Sequence, residues 1–150
     1  MLNQDTINLV KSFEGLRLNA YPDPATGNEP WTIGYGTTVY NGIQKVKSGD
    51  KITQKQAEEL LSYDLNTFSE KVRSLIKRNL TENQFGSLVS FSYNVGIGNF
   101  SSSTLLKKVN LNPGDPSIPS EFLKWNKANG KIMAGLTKRR IAEAALYTKI

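Results

Sequence analysis

Glu14, Asp23 and Thr32 lie nine residues apart in the stretch FEGLRLNAYPDPATGNEPWTIGYGTT. Two carboxyls and a hydroxyl placed at turns suit one kind of chemistry: one carboxyl gives a proton to a leaving oxygen while the other holds a water, as in glycoside hydrolysis. Gly15 should end a helix over residues 5–14 and leave Glu14 in its last turn. A negative charge there opposes the helix dipole, and Phe13 and Leu16 would add desolvation, the setting a proton donor needs. Each residue also has a plainer reading. Glu14 would be a surface glutamate, Asp23 between Pro22 and Pro24 ordinary turn chemistry, and Thr32 a strand residue suited to a pleated surface.

Other side chains are less specific. Tyr21, Trp31, Tyr35 and Tyr93 read either as core or as amphipathic rings lining a sugar groove, and Asn94 either caps a helix end or contacts ligand. The run KRR at 138–140 is a solvated face, an anion contact, or an ion-pair partner of a catalytic carboxylate. VGIGN at 95–99 matches neither a dinucleotide fingerprint nor a P-loop. The chain has no cysteine and no histidine, so it lacks disulfides, thiol chemistry, the usual zinc ligand and the usual neutral-pH base. No cofactor and no metal are expected. Residues 121–150 hold seven basic and two acidic side chains, which points to an anionic partner. Nucleic acid is not expected, because no zinc-finger spacing, RNP-like motif or helix-turn-helix pattern accompanies the charge.

These groups must be held by a scaffold of 150 residues, enough for a single domain with a sizeable core. Residues 5–14 read as a first helix, with Asp5 as its cap, and not as a signal peptide. No apolar run approaches the roughly 20 residues of a membrane span. LRLNAY, WTIGYGTTVY and a segment near 43–46 predict a small twisted antiparallel sheet. TQKQ at 53–56 is a capping box opening a helix of about 24 residues, long against the typical 10–14. TENQ at 81–84 repeats the signature; SSSTLLKKVN predicts a short helix, NPGDPSIP a loop before SEFLKWNKAN, and TKRRIAEAALYTK a closing amphipathic helix. The expected fold is α+β: a small sheet-containing N-terminal lobe and a mostly helical C-terminal lobe joined by a long helix, one domain over 1–150 with a cleft as the default ligand site.

The stretches EGLRLNAYPD, WTIGYGTT, LTENQFGSLVSFSYNVGIGNF, STLLKKVN and GLTKRR, in that order over nearly the whole chain, resemble the phage lysozyme (endolysin) family, glycoside hydrolase family 24, with its T4 and P22-like members. The resemblance implies a lysozyme-like fold and hydrolysis of the β-1,4 bond between N-acetylmuramic acid and N-acetylglucosamine in bacterial peptidoglycan. It assigns Glu14 as general acid, Asp23 as the carboxylate that activates water with inversion, and Thr32 as the threonine beside it. Asn94 matches a polar cleft position, Tyr35 is taken with it as substrate-binding, and Arg140, ahead of Arg139, matches the arginine paired with the catalytic glutamate. A monomer is expected, held in the host cytoplasm until a separate membrane lesion releases it, because no export segment is seen.

Two features depart from the family pattern. The loop from Asp23 to Thr32 is longer than in T4-like members, and Thr37 stands where histidine is frequent, a change expected to act on packing more than on mechanism. Two rival functions remain. A lytic transglycosylase would cut the same bond with one glutamate, and a non-catalytic glycan-binding protein would keep only the fold.

Overall fold

The computed structural model describes residues 2–150, so Met1 lies outside the description. The chain divides into two compact units, one formed by Lys11–Thr67 and the other by residues up to Val10 together with Phe68–Ile150. Helices α1 (Gln4–Glu14) and α2 (Gln54–Leu75) each run from one unit into the other. The fold is α+β, with a small sheet-bearing N-terminal unit and a mostly helical C-terminal one.

Helix α1 is capped by Asn3 and not by Asp5. The Asn3 side chain accepts from the Thr6 N–H at 3.1 Å, and its carbonyl from the Ile7 N–H at 3.2 Å. That leaves Asp5 inside the first turn, where it meets Lys149 Nζ at 2.8 Å. The helix ends as its sequence requires: Gly15 adopts φ +71° and donates to the Lys11 carbonyl at 3.0 Å.

The N-terminal unit holds two short hairpin ladders where one sheet was expected. Strand β1 (Arg17–Tyr21) pairs antiparallel with β2 (Thr32–Gly34), and β3 (Val39–Tyr40) with β4 (Gln44–Lys45). The WTIGYGTTVY stretch folds back on itself, with Ile33 and Thr37 exchanging both backbone bonds at 2.9 Å. Gly36, at φ +98°, sits inside that reversal. The outer edge of β1 bonds to residues 50–52, through Ala20 to Asp50 and Ile52 to Leu18, each at 2.9 Å. Ile33, Tyr35, Val46, Ala57, Leu60 and Leu61 form this unit's interior. A Cβ on Gly34 would stand 3.3 Å from Ala57 Cβ, so glycine lets β2 lie directly against α2.

Both capping boxes form. Thr53 and Gln56 exchange bonds at 2.8 and 3.1 Å at the start of α2, and Thr81 and Gln84 at 2.9 and 3.0 Å at the start of α3 (Glu82–Val95). The C-terminal unit continues through α4 (Ile97–Ser101), α5 (Thr104–Leu111), α6 (Ile118–Leu123) and α7 (Ala134–Thr148). Its core centres on Phe91, whose ring meets Phe100, Phe122 and Trp125 edge-on at 5.6–6.1 Å. A hairpin absent from the sequence expectation, β5 (Lys127–Ala128) with β6 (Lys131–Ile132), precedes α7. Its turn is Asn129-Gly130, both at positive φ, the pair that a two-residue hairpin favours. Helix α7 starts three residues earlier than TKRR suggests, so the two arginines fall well inside its first half.

Candidate active site

Glu14, Asp23 and Thr32 belong to the same unit; Glu14 and Thr32 stand at the ends of elements and Asp23 in the loop just after one. Glu14 is the last residue of α1, half-buried just before the Gly15 cap. Thr32 opens β2 and stands directly opposite Tyr21, the last residue of β1. Asp23 follows two residues later, at the near foot of the loop that returns to Thr32. The hairpin therefore brings the two feet of this loop, with Asp23 and Thr32, to one end of the β1–β2 ladder.

Tyr21 ties Glu14 to this ladder. Its phenol is pushed up, first by burial and then by the Glu14 charge, while Arg17 opposes the shift. The Arg17 guanidinium lies 4.4 Å from the centre of the Tyr21 ring. Glu14 thus lies within electrostatic range of the tyrosine facing Thr32. The sequence flagged Tyr21 only as core or groove; its spacing two residues before Asp23, at a strand end, was the available signal.

The longer loop is internally braced. Asp23 Oδ1 accepts from the Ala25 N–H at 2.8 Å, and the backbone of Asp23 bonds Asn28 at 3.0 Å and Gly27 at 2.7 Å. Thr26 Oγ1 donates to the Glu29 carbonyl at 2.8 Å, and Trp31 Nε1 to Asn28 Oδ1 at 3.2 Å. The ordinary turn role of Asp23 is real, and among the described residues it engages Oδ1, through the Ala25 N–H.

Tyr35 and Arg140 are not placed as surface contacts. Tyr35 is 5 % exposed, with Lys11 Nζ 5.3 Å above its ring and held by Glu58 at 2.8 Å. It is a core residue whose polar rim is satisfied locally. Arg140 is 0 % exposed, which excludes the solvated-face reading of KRR, and Arg139 is 3 % exposed. Both reach Glu143 on the same helix, three and four residues on, the spacing at which helical side chains meet. Arg140 Nε lies 2.8 Å from Glu143 Oε1, but its N–H is not aligned on the oxygen, so this contact is Coulombic and not a hydrogen bond. Arg139 Nε and Ser90 Oγ donate to the other oxygen at 3.1 and 2.5 Å. Burial pushes the Glu143 carboxyl up and the arginines pull it down; burial lowers Arg140 against the carboxylate's charge.

This cluster fixes Asn94. Arg140 Nη2 donates to Asn94 Oδ1 at 2.8 Å, its Nη1 reaches the Trp125 carbonyl at 3.4 Å, and its guanidinium covers the Phe91 ring at 5.0 Å. Asn94 is exposed at the end of α3, and with its oxygen engaged it presents its amide N–H groups. Ser90 and Glu143 were not singled out from the sequence, although Glu143 is readable at helical spacing from the arginines. Thr37, in place of the frequent histidine, is 1 % exposed and donates to Asp64 Oδ2 at 2.7 Å. Among the described residues, no group of three or more His, Cys, Asp or Glu is arranged to hold a metal ion. No described helix is long and apolar enough to cross a membrane.

The chain is similar to several known proteins. The phage lysozyme family model matches residues 11–143. The endolysin of Bacillus phage PZA is 46 % identical over 147 residues, covering 97 % of this chain and 54 % of that protein, so the chain spans about half the length of that relative. A solved endolysin from Escherichia coli O157:H7 phage FAHEc1 superposes with a TM-score of 0.87 at 39 % identity, covering 99 % of this chain and 93 % of the other. The muramidase domain of SpmX from Asticaccaulis excentricus gives a TM-score of 0.86 at 33 % identity, covering 100 % and 99 %. The match over residues 11–143 takes in Glu14, Asp23, Thr32, Asn94 and both buried arginines, and the chain belongs to the phage lysozyme family.

Proposed function

We propose that this chain is a muramidase that hydrolyses the β-1,4 bond between N-acetylmuramic acid and N-acetylglucosamine in peptidoglycan, with inversion. The observation carrying the reading is the convergence of an α1-terminal glutamate, the Tyr21–Thr32 strand pair and a turn-anchored Asp23 within one unit. The activities named for the FAHEc1 endolysin and the SpmX muramidase domain are consistent with it.

In this mechanism Glu14, protonated, gives its proton to the glycosidic oxygen as that oxygen leaves the anomeric carbon. A water held by Asp23 Oδ2 and the Thr32 hydroxyl attacks the same carbon from the opposite face and loses its proton to Asp23. The Ala25 N–H on Oδ1 fixes the carboxylate plane and leaves Oδ2 for the water. Asn94 offers N–H donors to a sugar hydroxyl or acetamido carbonyl. Tyr35 and Arg140 serve as supports, Tyr35 beneath Lys11 and Arg140 behind Asn94.

The dual role of Asp23 keeps a lytic transglycosylase in view, since a purely structural Asp23 would leave one glutamate to do the chemistry. Purified walls treated with wild type, Glu14→Gln and Asp23→Asn distinguish the two. Asn preserves the acceptor for Ala25 but cannot take a proton, so both variants should lose activity by several orders of magnitude. Loss in Glu14→Gln alone, with anhydro-ended products from wild type, would replace hydrolysis with transglycosylation. Wall clearance by Glu14→Gln at the wild-type rate would end the assignment.

A further inference from the structure

Residues 123–141 contain no acidic side chain, and Lys124, Lys127, Lys131 and Lys138 are all exposed. The two acids that flank the tract, Glu121 and Glu143, are both buried and engaged, Glu121 by Lys108 and Lys124 at 2.8 and 2.9 Å and Glu143 by Arg139 and Arg140. Charge of one sign is only half of what this surface shows. Ile132 is 68 % exposed, Met133 46 % and Ile141 54 %, in a tract where ordinary surface helices carry polar groups. On α7 the solvent-facing stripe is Ala134, Lys138, Ile141 and Ala145, at the four- and three-residue spacing of one helix face. The β5–β6 hairpin is fastened to the start of this stripe. Met133 N–H donates to the Asn126 carbonyl at 2.9 Å, and Asn126 Nδ2 to Thr137 Oγ1 at 3.2 Å. Exposed apolar side chains and lysines thus share the β5–β6 hairpin and the α7 helix bonded to it.

We propose that this face, hairpin β5–β6 with the exposed stripe of α7, docks reversibly on an anionic phospholipid surface. A soluble polyanion such as a wall phosphate polymer would be attracted by the lysines but would gain nothing from Ile132, Met133 and Ile141, whose exposure then has no use. A bilayer interface uses both: its surface potential draws the lysines, and the headgroup–acyl boundary takes the three apolar side chains. The docking is peripheral and does not depend on the glycosidase reading, because it needs no glycan.

Flotation with phosphatidylcholine vesicles, with and without phosphatidylglycerol, tests it at low and high salt. Wild type should float with the anionic vesicles only, and less at high salt. Changing Lys127 and Lys131 to Gln should weaken partitioning roughly fivefold per lysine. An Ile132→Ser, Met133→Ser, Ile141→Ser variant keeps every charge and should lose at least about tenfold, with thermal melting checked for an intact fold. If that variant binds like wild type, or if soluble polyphosphate binds wild type more tightly than vesicles do, the partner is a polyanion and the proposal fails. If wild type ignores vesicles and instead forms dimers that the triple variant dissociates, the face is a contact between copies and the proposal also fails.

Discussion

Removing the Glu143 carboxylate should be among the most damaging single changes in this protein. Glu143 is 0 % exposed and lies between two arginines with 3 % and 0 % exposure, so Glu143→Ala leaves two guanidinium groups buried against a cavity. Breaking a buried pair by deleting one partner costs about 3–5 kcal/mol, a large share of the roughly 5–15 kcal/mol that holds a domain folded. For a chain of this length each kcal/mol lowers the melting midpoint by about 2–4 °C, so the expected drop is about 6–20 °C. Glu143→Gln should cost less, since its carbonyl can still accept from Ser90 and Arg139, which now donate to the carboxylate at 2.5 and 3.1 Å. Calorimetry measures the midpoints, and wall clearance well below them shows whether Asn94, held by Arg140, has lost its placement. If Glu143→Ala melted within about 2 °C of wild type, the arginines would not depend on this carboxylate, and the proposed chain of support from Glu143 through Arg140 to Asn94 would fail.

Two further changes probe each unit separately. A Cβ at Gly86 would stand 1.8 Å from Thr6 Oγ1, and Thr6 is buried and tied to Asn3 at 2.9 Å, so Gly86→Ala should cost about 1–3 kcal/mol or more; a melting midpoint equal to wild type would show that α1 and α3 yield freely there. Burial raises the Asp64 carboxyl, with Thr37 opposing, so the folded state holds the Asp64 proton more tightly than the unfolded chain does. Stability must then fall as pH rises from the unfolded value through the folded one, so Asp64→Asn should melt higher than wild type at neutral pH and equally below about pH 3. A lower midpoint at neutral pH would mean that the Thr37 bond to the ionised form outweighs desolvation.

What could be read from the sequence was whatever is encoded locally. Thr53 with Gln56, Thr81 with Gln84, and Gly15 after Glu14 act on backbone groups three or four residues away, and all three were legible. Asn129-Gly130 was equally local and was missed because the surrounding strands are only two residues each. Asn3 and Asp5 are both competent caps, and the choice between them was fixed by contacts from distant residues: Asn83 takes the Asn3 amide at 2.8 Å and Lys149 takes Asp5. The sequence leaves KRR open between a solvated face, an anion contact and an ion pair, and only the folded chain decides: α7 turns both arginines inward because Glu143 and Ser90 supply charge and a hydrogen bond, while Ile141 on the other side is left exposed. For the candidate site, Glu14, Asp23 and Thr32 came from spacing and family resemblance, whereas the support behind Asn94 is visible only in three dimensions.

If Asp23 and Thr32 deliver a water to the face opposite Glu14, the anomeric configuration of the first product reveals it. Proton NMR of a defined glycan cut in water, recorded before mutarotation, should show the α-anomer at the new reducing end. A β-anomer would mean a covalent intermediate and would contradict the role given to Asp23; an anhydro end with no reducing sugar would contradict hydrolysis itself.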